Sequence, residues 1–151
     1  MNKWLLAILF FLSASAMAAD NWSLVDTEGK VIRLSDYKGK WVLVNFWATW
    51  CPPCLAEIPD LIGMKRKGTD VAIIGIAVSY RNPEEVLDFV HQKGIPYPIV
   101  LGNEDIASKF GGIDSLPTSF LYSPEGKLVG QHEGPLTQNE IRDFIHGTPL
   151  H

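Results

Sequence analysis

Two rhythms of apolar and polar positions divide this chain. Trp22 to Val25 and Lys30 to Leu34 are short β-like runs on either side of Asp26-Thr27-Glu28-Gly29, a spacing that predicts a hairpin with Gly29 in the turn. After a polar link over Ser35 to Lys40, the run Trp41-Val42-Leu43-Val44-Asn45-Phe46-Trp47 is dense in β-branched and aromatic side chains. This predicts a strand covered on both faces at the centre of a sheet. The rhythm then becomes helical from Cys54, with Leu55, Ile58, Leu61 and Ile62 recurring, Lys65 to Lys67 near the end and Gly68 as the stop. Pro59 inside that stretch predicts a kink.

Val71 to Val78 is a second near-continuous apolar strand. Pro83 to Lys93 predicts an amphipathic helix with Val86, Leu87, Phe89 and Val90 inward and Gly94 closing it. Tyr97 to Leu101 follows as a short strand, and Asp105 to Phe110 as a short helix before Gly111-Gly112. Thr118 to Tyr122 and Leu128 to His132 predict a hairpin around Pro124-Glu125-Gly126. The final helix runs over Thr137 to Ile145, where Thr137 and Glu140 have the spacing of a capping box. Strands alternating with helices predict an α/β fold, and 151 residues with 46% hydrophobic content suit one domain.

The first residues follow another logic. Met1-Asn2-Lys3 is a short positive start, Trp4 to Leu12 is apolar, and Ala16-Met17-Ala18 has the small-x-small form of a cleavage site. Residues 1–18 are therefore expected to be a signal peptide, leaving a soluble mature domain over residues 19–151. The alternative, an uncleaved anchor in the inner membrane, has only the 16 uncharged residues from Trp4 to Ala19, fewer than the roughly 20 that span a bilayer. Export changes the surface little. Losing Lys3 leaves 12 Lys and Arg against 17 Asp and Glu, a net charge of −5 that repels nucleic acid.

Export does change how the two cysteines are read. In an oxidising compartment a Cys pair is ordinarily a staple, but stabilisation grows with the loop closed, and Cys51 and Cys54 enclose almost none. The pair looks chemical. It sits where a buried strand hands over to a helix, and the free N–H groups and positive dipole end of a first turn stabilise a thiolate. Cys51 is the expected attacking thiolate and Cys54 the residue that resolves the mixed disulfide. Pro52 and Pro53 suit a first turn whose N–H groups are unpaired anyway. A structural disulfide and half of a metal site are the competing readings. A zinc site would need four ligands, and no second Cys pair or His-x-x-x-His follows. Copper would need a nearby histidine, for which only His91 and His132 come into question. Neither a metal nor an organic cofactor is expected.

The run from Leu34 to Cys54, ending in Trp50-Cys51-Pro52-Pro53-Cys54, resembles the signature region of thioredoxin-like proteins of the TlpA/ResA-like branch, which are exported thiol-disulfide oxidoreductases. The resemblance covers residues 22–146. It implies a thioredoxin-like fold: a central mixed sheet flanked by helices, with an N-terminal β-hairpin and a central strand-helix insertion. Ser115-Leu116-Pro117-Thr118-Ser119-Phe120 resembles the branch's loop with a cis proline facing the active site, which makes Pro117, with Leu116 and Trp50, the expected substrate contacts. An ordinary turn proline is the competing reading of Pro117. Thioredoxins proper often carry a buried aspartate six residues before the first cysteine, where this chain has Asn45. The branch implicates a glutamate at the position of Glu57 instead, on the helical face of Cys54, where it could accept that thiol's proton. The bland reading of Glu57 is an exposed helix residue beside a cation. Trp47 is expected mainly in the core.

The function these residues imply is reduction of protein disulfides in the periplasm by a monomer. The resemblance adds a membrane thiol transporter as electron donor and apocytochromes, in cytochrome c maturation, among the acceptors. An oxidase or isomerase, a peroxiredoxin and a copper-binding module are the competitors. The region from Tyr80 to Phe110 is expected to shape the partner-binding surface.

Overall fold

A computed structural model describes residues 21–147 of the chain. The leader expected over residues 1–18 lies outside the described residues. Strands β1 (Ser23–Val25) and β2 (Val31–Arg33) form a two-stranded hairpin. Asp26 Oδ1 accepts the N–H groups of Glu28 and Lys30 at 2.9 Å each and so shapes the turn. The polar link, for which the sequence pattern predicts no regular element, begins with a 3-10 turn over Leu34–Tyr37. Leu34 anchors it in the core, and Asp36 accepts the Arg33 N–H at 2.9 Å.

The main sheet takes β3 (Trp41–Trp47), β4 (Val71–Ala77), β5 (Ile99–Leu101), β6 (Thr118–Tyr122) and β7 (Leu128–Glu133) in the order β5-β4-β3-β6-β7. Strands β3, β4 and β5 are parallel, β6 pairs antiparallel with β3 and β7 antiparallel with β6, so the sheet is mixed and β3 is central as predicted. Helix α1 (Pro52–Arg66) crosses from β3 to β4, and α2 (Pro83–Lys93) from β4 to β5. The short α3 (Glu104–Ser108) precedes β6, and α4 (Gln138–Ile145) closes the chain with both arms of the Thr137–Glu140 capping box formed. Among the described residues no helix is long and apolar enough to cross a membrane.

Two apolar clusters cover the two sheet faces. Alternation along β3 sends Leu43 and Trp47 to the face packed by α1, α2 and α4, and Val42, Val44 and Phe46 to the face covered by the hairpin and Phe110. Asn45 shares the first face, which puts its amide among buried side chains facing α1. The helix turns toward that sheet the stripe Cys54, Glu57, Ile58, Leu61 and Met64, each at most 3% exposed. Leu55 is off the stripe and 37% exposed. Likewise Leu87 of α2, expected inward, is 42% exposed, because Val86, Phe89 and Val90 already occupy the i, i+3 and i+4 positions of the buried face. Pro59 does not end α1, which runs on to Arg66.

Gly75, in the middle of β4, makes room for this packing. A Cβ there would lie 2.8 Å from Ile99 Cδ1 and 3.0 Å from Trp47 Nε1. Trp47 is thus a core residue, as expected, with its ring 5.3 Å from that of Phe89.

Candidate active site

The C-terminal end of β3 delivers Thr49 and Trp50 to the surface and then Cys51 to the N-cap of α1, one position ahead of Pro52 and Pro53. Cys51 has extended backbone, φ −94° and ψ 106°, and its Sγ accepts the Cys54 N–H at 3.4 Å. That places the sulfur over the first turn, where the unpaired amides and the dipole end favour a negative charge. Cys51 and Cys54 are joined as a disulfide with Cα atoms 5.3 Å apart. The two sulfurs are not equivalent. Cys51 lines a groove of about 620 Å³, whereas Cys54 has no exposed surface and is absent from the lining.

Trp50, Pro52 and Pro53 share the groove wall with Ser79, Asn103 and Leu116. Trp50 is 60% exposed. The Leu116–Pro117 peptide is cis. Leu116 fronts the groove with its carbonyl oxygen 3.7 Å from Cys51 Sγ, while Pro117 is buried behind it and its own carbonyl accepts the Gly134 N–H at 2.8 Å. Of the two residues expected of this loop, Leu116 lines the groove beside Cys51 and Pro117 is buried behind it.

Glu57 is 2% exposed, and among the described residues no cation is paired with it, so the reading as an exposed helix residue beside a cation fails. Its Oε1 accepts a hydrogen bond from Asn45 Nδ2, and its Oε2 accepts the Leu136 N–H at 2.8 Å. The Asn45 amide also donates to Ser119 Oγ at 3.0 Å, from the residue paired with it across β3 and β6. Burial pushes the Glu57 carboxyl up to about 7; the Leu136 and Asn45 hydrogen bonds oppose this, and the Asp60 charge adds to it. A carboxyl on the same helical face as Cys54, half ionised near neutral pH, can take up a proton and return it. Tyr97, buried nearby, is held protonated by its own burial and by the Glu57 charge.

Several members of this surround carry no signal in the linear sequence. The Leu136 amide contributes through its backbone alone, and Tyr97 reads as one more strand aromatic. Gly102, at the groove wall, would bring a Cβ within 2.7 Å of Ile76 and 2.8 Å of Val78. His91 is exposed on α2 and His132 lies on β7, and among the described residues no group of three or more His, Cys, Asp or Glu could hold a metal ion.

Comparison with known proteins agrees with this geometry. The chain matches the AhpC/TSA family over residues 16–131. It is 36% identical to the thiol-disulfide oxidoreductase ResA of Bacillus subtilis, over 85% of this chain and 72% of that protein. Among solved structures, a thioredoxin-family thiol:disulfide interchange protein of Chlorobium tepidum superposes with a TM-score of 0.75 at 32% identity, over 83% of this chain and 91% of that one. An exposed lipoprotein thioredoxin of Streptococcus pneumoniae does so with a TM-score of 0.73 at 27% identity, over 85% and 99%.

Proposed function

Because the chain belongs to the AhpC/TSA family of thioredoxin-fold proteins and is a thiol-disulfide oxidoreductase of the TlpA/ResA-like kind, we propose that it is an exported reductase of protein disulfides. The observation that carries this reading is the asymmetry of the pair: Cys51 faces the groove, and Cys54 is wholly buried on the helical face of Glu57.

In the dithiol form the Cys51 thiolate attacks one sulfur of a partner disulfide. A Cys51–partner S–S bond forms and the partner's second sulfur leaves as a thiolate. Cys54 then gives its proton to Glu57 and attacks Cys51 Sγ, closing the Cys51–Cys54 bond and releasing the partner's first sulfur. Two electrons have passed to the partner, whose two thiolates take up protons, one of them available from Glu57. An upstream dithiol donor, a membrane thiol transporter on the family reading, restores the pair. The exchange runs on the two thiols and calls for no metal or organic cofactor. Trp50, Leu116 and the Pro117 loop receive the partner's chain, apocytochromes being the acceptors that the family suggests. Residues 1–18 direct export and are removed, leaving residues 19–151 as a periplasmic monomer.

Equilibrating the mature protein and Glu57→Gln with glutathione or dithiothreitol buffers tests the direction. A potential near −270 mV, roughly that of thioredoxin, supports a reductase, and one near −120 mV refutes it in favour of an oxidase.

A further inference from the structure

The segment that follows β4 is tied to the residues just ahead of Cys51 at two points. Thr49 Oγ1 donates a hydrogen bond to Glu85 Oε1, and Trp50 Nε1 donates to the Ser79 carbonyl oxygen at 2.9 Å. Glu85 stands in the first turn of α2, where its N–H is capped by Asn82 Oδ1 at 2.9 Å. Its second oxygen, Oε2, accepts the Arg81 backbone N–H at 3.2 Å and Arg81 Nε at 3.1 Å. One carboxylate therefore joins the cysteine-bearing loop, the Ser79–Asn82 loop and α2.

Three further observations give that junction a direction. Ser79 holds φ +53°, a conformation rare outside glycine, and it is this residue whose carbonyl takes the Trp50 indole. The hydrogen bonds from Thr49 and then Arg81 hold the Glu85 carboxyl below the usual range, so it remains an acceptor across neutral pH. Trp50, with 60% of its surface exposed, would lose its preferred orientation if these ties were cut, since an unpacked indole regains rotamer freedom. Helix stabilisation does not account for the arrangement. Glu84 serves the dipole of α2 from the same turn, and such an interaction needs no reach back to Thr49.

Resting on the disulfide-exchange reading above, we propose that Glu85 is a positioning residue for the substrate: through Thr49 and the Arg81–Ser79 loop it holds the Trp50 indole as a fixed wall of the groove before Cys51. A partner polypeptide then docks beside the reactive sulfur on a surface already ordered, and binding does not bear the cost of ordering it.

Insulin reduction by the full mature protein, with dithiothreitol as donor, tests this together with hydrogen exchange of the Trp50 indole N–H by NMR, the signal being identified by its loss in Trp50→Phe. Glu85→Ala is expected to raise KM about fivefold while kcat falls less than about twofold, the scale of one hydrogen bond lost from a docking surface. Its Trp50 indole N–H should exchange faster. Thr49→Val should do the same, and the double variant should be no worse than either single, since both remove one interaction. Glu85→Gln keeps an acceptor oxygen for Thr49 and should recover most of KM. Unchanged KM and indole protection in Glu85→Ala, or fully additive effects with Thr49→Val, would overturn the proposal. If the unmodified protein fails to reduce insulin, the exchange reading falls, while the indole exchange of Glu85→Ala and Thr49→Val still decides whether Glu85 orders Trp50.

Discussion

Replacing Glu57 by Gln should change how stability depends on pH more than it changes stability itself. In the unfolded chain the carboxyl titrates near 4.5, and in the folded protein near 7, because burial disfavours its charged form. A raised carboxyl pKa stabilises the fold only while the group stays protonated in both states. Its contribution is complete below about pH 4.5, is lost as pH rises through 7, and is flat above. The span of 2.5 pH units corresponds to about 3 kcal/mol at 1.36 kcal/mol per unit. Glutamine resembles the protonated carboxyl and does not titrate, but it offers one oxygen where Asn45 and Leu136 both donate. Leaving one buried N–H unanswered costs about 1–3 kcal/mol at every pH. The variant should therefore be the less stable protein at pH 4 and should draw level with, or pass, the unmodified one by pH 8. Urea unfolding of the oxidised forms at pH 4, 6 and 8 measures the difference directly. Stability curves that run parallel, with a gap changing by less than about 0.7 kcal/mol, would refute the assignment of this titration to Glu57.

Cys54→Ser should accumulate a mixed disulfide between Cys51 and a protein substrate, visible as a reducible band on a non-reducing gel. Cys51→Ser should trap nothing, because Cys54 has no exposed surface from which to attack. Gly102→Ala forces a Cβ to within 2.9 Å of the Ala77 carbonyl, which cannot retreat freely because it accepts the Gly102 N–H at 2.7 Å. Thermal unfolding should show a loss of about 1–3 kcal/mol. Thr137→Ala removes the acceptor for the Glu140 N–H and should cost about 1 kcal/mol by the same measurement.

The sequence made the architecture legible because its elements carry strong local signals: two buried strands with hardly a polar residue, proline and glycine at the ends of α1 and α2, and a capping box on α4. The cysteine pair was legible for the same reason, since its position at a strand-to-helix junction is itself a local pattern. What escaped was set by tertiary geometry. Leu87 is as hydrophobic as its neighbours, and only the rotation of α2 against Trp47 decides that Phe89 goes inward and Leu87 does not. The importance of Gly75 and Gly102 lies in what stands opposite them, on β3 and β5 or on β4. The partners of Glu57 come from β3 and from the turn before α4, separated from it by 12 and 79 residues, distances that no local pattern spans.

Those long-range partners also connect the Leu116–Pro117 loop with the Glu57 carboxyl. The chain from Gly134 to Leu136 donates its first N–H to the Pro117 carbonyl and its last to Glu57 Oε2, both at 2.8 Å. The loop that fronts the groove beside Cys51 and the carboxyl on the helical face of Cys54 are thus held by one stretch of three residues. Protonating Glu57 weakens the charge-assisted bond to Leu136, which is stronger when the acceptor is ionised. One backbone stretch therefore joins the Leu116–Pro117 loop to the Glu57 carboxyl, and side-chain substitution at Pro135 would bear on either only by displacing the backbone.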